Sequence, residues 1–114
     1  MKTLLITLTF TLFTSTLYAS GNHFHPKKFA KCKTAACTEQ ELKDSLTASV
    51  VYLSEWKKID LSWAKASVEK MEQKQFKKGV EWMVTLVDST PAKQKRFVFF
   101  TLDGYVTGSN ATGN

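Results

Sequence analysis

The chain has 114 residues, 43% hydrophobic and 12% aromatic, with 16 Lys and Arg against 10 Asp and Glu for a formal charge of +6. That length suits a single domain, and the apolar share excludes a wholly disordered chain. A core of this size buries only about two thirds of the unfolded surface, so a covalent staple would add usefully to it.

Lys2 opens a short positive region, and Leu4 to Leu17 then run uncharged, with five threonines and a serine among Leu, Ile and Phe. Leu17 and Ala19 fit the −3 and −1 positions of a cleavage site. This is the layout of a secretory signal peptide over 1–19. As a helix the apolar run would reach about 21 Å, short of the roughly 30 Å of a hydrocarbon core, so no stable membrane anchor is expected. The expected location is therefore exported, periplasmic or secreted.

Residues 20–37 read as an extended leader, because Pro26 holds His25 away from helical backbone. His23 and His25 sit two apart, so in extended chain both imidazoles point to one side and can grip one Cu(II), Ni(II) or Zn(II) ion. Cleavage after Ser20 instead of Ala19 would add a second option, the nitrogen ligands of Gly21-Asn22-His23. In an oxidising compartment Cys32 and Cys37 are read first as a disulfide, worth roughly 2 kcal/mol for so short a loop. Ligation of zinc by the two thiolates with the histidines is the alternative. Cys-x-x-Cys is absent, which argues against a redox catalyst.

Thr38-Glu39-Gln40-Glu41 matches a capping box. Leu42, Leu46, Val50, Leu53 and Trp56 follow at three- and four-residue spacing and predict one amphipathic helix of about eighteen residues. Glu39 and Glu41 at its start and Lys57 and Lys58 at its end complement the helix dipole. Ile59 to Ala66 is a connector carrying Trp63.

From Ser67 the period becomes two. Val68–Phe76 reads as a wet edge strand, Lys77-Lys78-Gly79 as a turn, and Val80–Val87 as a central strand. Ser89-Thr90-Pro91 breaks it. Arg96–Leu102 is the next strand, Asp103-Gly104 a hairpin turn, and Tyr105–Ser109 the return. The fold class is therefore α+β: an N-terminal amphipathic helix on an antiparallel meander of three to four strands. The single domain spans 38–110, with a small polar tail at 111–114.

The central strands are apolar on both faces, although a helix covers only one. Trp82, Val84 and Leu86 alternate with Met83 and Val87, and Phe97 and Phe99 alternate with Val98, Phe100 and Leu102. Met83, Val87, Val98, Phe100 and Leu102 are taken as the interaction face. Phe24 and Phe29 of the leader, a second copy of the chain, or a protein or small-molecule partner would cover it.

His23-x-His25, Trp63, Glu81-Trp82-x-Val84, Phe97-Val98-Phe99, Gly104-Tyr105 and Asn110-x-Thr112-Gly113 together resemble a family of short exported bacterial proteins of unknown function. That family is similar to the small α+β domain PepSY, and the helix-and-meander order is also cystatin-like. The resemblance implies an exported α+β domain and no particular activity. Members often carry a richer His-Gly-His tract, where this chain has two histidines and adds Cys32 and Cys37.

Catalysis is not expected. Asp44, Asp60, Asp88 and Asp103 each suit a helix or turn role, and no nucleophile elbow, phosphate loop or metalloprotease motif occurs. The lysine pairs Lys27/Lys28, Lys57/Lys58 and Lys77/Lys78 fall at expected turns and element ends, and no nucleic-acid partner is expected. Trp56, Trp63 and Trp82 read as core. Asn110-Ala111-Thr112 matches a glycosylation acceptor, relevant only in a eukaryotic secretory route. The expected function is a small exported, non-catalytic binding module; the alternative is a divalent-metal-binding protein using His23 and His25.

Overall fold

The computed structural model describes residues 23–114. The expected export segment and Gly21-Asn22 lie outside the described residues. Among the described residues no helix is long and apolar enough to cross a membrane.

The capping box forms as read. Thr38 Oγ1 accepts from the Glu41 amide at 3.2 Å, and Glu41 Oε1 accepts from the Thr38 amide at 2.9 Å. The helix it starts is not continuous: α1 (Glu39–Asp44) gives way at Ser45 to α2 (Leu46–Glu55). Ser45 Oγ donates to the Leu42 carbonyl at 2.7 Å, and Ser49 Oγ to the Ser45 carbonyl at 2.9 Å. Such local hydroxyl bonds compete with the helical ladder and loosen it. The apolar spacing survives the break, since Leu42, Leu46, Val50 and Leu53 are all buried. Lys57 closes α2 at φ 61°, with the Lys57 amide on the Ser54 carbonyl and the Lys58 amide on the Leu53 carbonyl. That is a Schellman motif in which lysine occupies the left-handed position usually given to glycine.

A short 3-10 turn (Leu61–Lys65) leads into the sheet. Its strands are β1 (Lys27–Lys28), β2 (Ser67–Phe76), β3 (Gly79–Val87), β4 (Lys95–Thr101) and β5 (Tyr105–Asn110), in the order β1-β5-β4-β3-β2, all pairs antiparallel. The meander is as expected; the fifth strand is supplied by the leader. Gly79, at φ 133°, lets the chain reverse directly after Lys77-Lys78.

The register settles which residues share a face. Trp82 stands opposite Phe100 and Val84 opposite Val98, whereas Met83 stands opposite Phe99 and Thr85 opposite Phe97. The first set packs under the helices: Val84, Leu86, Val98, Phe100 and Val106 are fully buried with Leu42 and Leu53. The interaction face read from sequence therefore mixed two surfaces. Val98 and Phe100 belong to the core, and Leu102 packs against it; only Met83 and Val87 lie on the outer face, with Phe97 and Phe99. Alternation within each strand was correct, but the relative phase of two strands is set by the turn between them, which alternation does not encode.

Candidate functional site

Two surfaces could engage something else: the outer face of the sheet and the face carrying the leader.

The outer face is floored by Met83, Thr85, Phe97 and Phe99, of which Met83, Thr85 and Phe99 are buried although, among the described residues, no helix lies over them. The leader does not cover this side, contrary to expectation. Phe24 and Phe29 pack instead on α2, with ring centroids 5.7 and 5.5 Å from that of Tyr52. The cover comes from the other end of the chain. Asn110 Oδ1 accepts from the amides of Thr112 at 3.1 Å and Gly113 at 2.8 Å, while Asn110 Nδ2 donates to the Asn114 carbonyl. Lys74 Nζ reaches across from β2 to the Gly113 carbonyl at 2.9 Å. These bonds seat Gly113, at φ 81°, so closely that a Cβ there would meet Met83 Sδ and Phe97 Cε1 at 3.3 Å each. The Asn110-x-Thr112-Gly113 motif is thus a strap, and the Asn110 amide of the glycosylation pattern is engaged within it.

Beside the strap the face stays open as a groove of about 520 Å³, lined by Phe76, Lys77, Lys78, Glu81, Phe99 and Thr107 among others. Phe76 and Phe99 meet edge to face at 5.4 Å and make its apolar floor. Thr107 is the extra residue where β5 slips against β4, and its hydroxyl donates to Glu81 Oε1 at 3.1 Å. Phe76, Glu81 and Thr107 are functional candidates that sequence reading missed. Phe76 ends a strand of mostly polar residues, and nothing in the sequence marks Thr107 as a bulge.

On the leader face, β1 pairs Lys27 with Val106 and Lys28 with Tyr105. Tyr52 Oη donates to the His25 carbonyl at 2.6 Å, and the His25 ring lies edge-on to Trp56 with centroids 6.1 Å apart. His23 and His25 are both exposed. Among the described residues, no third His, Cys, Asp or Glu converges on them.

Cys32 and Cys37 form a disulfide, with Cα atoms 5.0 Å apart. Glu41 lies within 4.8 Å of both sulfurs, a three-ligand grouping on paper. Both sulfurs are consumed by the disulfide, and the carboxylate is committed to the amides of Thr38 and Lys33. Those two backbone donors hold Glu41 below the usual carboxylate range. The zinc alternative for the cysteines is thereby overturned. The Cys37 amide donates to the Leu102 carbonyl at 2.8 Å, which locks the leader onto the β4–β5 hairpin.

The aspartates act locally. Asp60 caps the 3-10 turn through the hydroxyl and amide of Ser62, which lower its pKa, and Asp88 accepts from the hydroxyl and amide of Thr90. Asp44 accepts from Gln40, and Asp103 from Thr101.

No curated protein and no solved structure matches this chain. A family model does, over residues 1–114, and the chain belongs to the family of unknown function DUF6488.

Proposed function

We propose that this protein is a small exported, non-catalytic binding module whose ligand lies in the outer-face groove. The observation that carries the reading is the Phe76–Phe99 floor, left open beside the strap and flanked by the side chains of Lys77 and Lys78 against one acidic side chain, Glu81. An apolar floor with a net positive rim suits a ligand with an apolar body and one negative charge. The disulfide supports export, because such bonds persist in oxidising compartments. The helix-and-meander order is in keeping with a PepSY-like domain.

Titration with decanoate, followed by amide NMR, tests the reading. Shifts should concentrate at Lys78, Glu81, Phe99 and Thr107, and Phe99→Glu should abolish them. Equal shifts from decyltrimethylammonium, or shifts centred elsewhere, would show that the groove is not an anion-selective site.

The second reading is divalent-metal binding by His23 and His25. It is supported by their joint exposure at the start of the leader, two residues apart.

A further inference from the structure

The leader face carries a second feature, independent of the groove. Residues 23–37 include Lys27, Lys28, Lys31 and Lys33 and no acidic residue, and the end of α2 adds Lys57 and Lys58. Both ion pairs among the described residues, Lys70–Glu72 and Lys95–Glu69, involve β2, at the opposite edge of the sheet. Around the leader, Glu41 is engaged with the amides of Thr38 and Lys33, Asp103 with the Thr101 hydroxyl and Glu81 with the Thr107 hydroxyl, which leaves exposed Glu55 beside Lys57 and Lys58.

Three of these lysines lie against aromatic rings. Lys27 Nζ lies 5.4 Å from the ring centroids of both Phe29 and Tyr52, Lys28 Nζ 5.9 Å from Tyr105, and Lys58 Nζ 5.8 Å from Phe24. Phe24 in turn packs on Tyr52 and on Trp56, both at 5.7 Å. Phe24, Phe29, Tyr52 and Trp56 thus form one patch of half-buried rings topped by Lys27 and Lys58, whereas Lys28 and Tyr105 face the other side of this sheet edge, because Lys27 is the residue paired with buried Val106.

We infer that this patch docks the protein peripherally on an anionic phospholipid bilayer. Ammonium groups at the level of half-buried Trp, Tyr and Phe rings match the phosphate layer and the interfacial zone just below it. A single-stranded nucleic acid fits less well, because it needs open ring faces for its bases, and here those faces are taken by lysines and by other rings. Each lysine brought to such a surface strengthens binding about fivefold, and salt weakens the effect.

The test is sedimentation of the purified protein with vesicles of phosphatidylcholine alone or mixed equally with phosphatidylglycerol. Binding should require phosphatidylglycerol and fall with salt. The Lys27→Glu/Lys58→Glu variant should bind at least about twenty-five-fold more weakly, from the fivefold contribution of each lysine and the repulsion that reversal adds. Lys70→Glu/Lys93→Glu, the same change of charge made at exposed positions outside both the leader face and the groove, should bind nearly as the parent does. Brominated phosphatidylglycerol vesicles should quench tryptophan fluorescence in the parent protein and in Trp63→Phe, with the quench lost in Trp56→Phe, a readout that does not depend on the charge variant folding. Equal loss in both charge variants, indifference to phosphatidylglycerol, or binding to soluble heparin without binding to vesicles each overturns the inference.

Discussion

Gly104 and Cys37 are packed so closely that a side-chain carbon on the glycine would sit 2.8 Å from the Cys37 sulfur. The same carbon would lie 3.1 Å from Ala30 Cβ and 3.3 Å from Cys32 Sγ, so the whole disulfide rests on the hairpin turn. Gly104 also stands at φ 100°, which L side chains rarely adopt. Gly104→Ala should therefore cost about 1–3 kcal/mol through overpacking, beyond its backbone strain. In a Cys32→Ser/Cys37→Ser background the cost should be smaller, because the clashing bond is gone. Full additivity in denaturant midpoints would show that the turn and the disulfide are energetically separate.

Thr38→Ala removes the acceptor of the Glu41 amide and should cost roughly 0.5–2 kcal/mol. Glu41 adds a pH signature. Its pKa is lowered in the folded state, by the backbone N–H groups of Thr38 and then Lys33, so the unfolded chain binds its proton more readily. The contribution is present above the unfolded pKa and is lost as pH falls through the folded one. Glu41→Gln should thus flatten the stability profile below about pH 5 while leaving its slope near neutrality alone. An acid limb identical to the parent's would place the acid sensitivity elsewhere.

The strap makes a prediction about Met83, which is only 6% exposed. Gly113→Val introduces a side chain where Met83 and Phe97 leave no room, and at a positive φ. It should lift the strap, speed Met83 oxidation by peroxide severalfold and raise hydrophobic dye binding. Deleting residues 23–31 should instead uncover Tyr52 and Trp56 and leave Met83 protected. Unchanged Met83 oxidation in Gly113→Val would mean that the strap is not what shields the face.

For the histidines, calorimetry with Cu(II) and Zn(II) separates the second reading from the first. His23→Ala/His25→Ala should abolish uptake at nearly unchanged thermal stability, since neither ring is buried. Equal affinity in the double variant would end the metal reading.

Much of the fold was legible because local chemistry names its own ends. The Thr38 capping box, the Gly79 turn and the Asp103-Gly104 hairpin each need a particular residue type at a particular place, and each formed there. Ser45 broke the helix because its hydroxyl found the Leu42 carbonyl, a choice that apolar spacing does not register. The outer face was the harder part. Its existence followed from two-sided strands, but its membership depended on the Met83–Phe99 register. Its cover came from the strap over 110–114, whose hydrogen bonds are made within its own turn and with Lys74. Burial by such a tail has no hydrophobic pattern to detect.

The pairing of β1 with β5 also orders events in time. Synthesis delivers Lys27 and Lys28 well before their partners Tyr105 and Val106, so this edge of the sheet cannot close until the chain has been made through the β4–β5 hairpin. Cys32 and Cys37 are near neighbours in sequence and need no such wait. Oxidation can therefore precede docking, and the looped leader then arrives at Gly104 as a preformed unit that only has to find its seat.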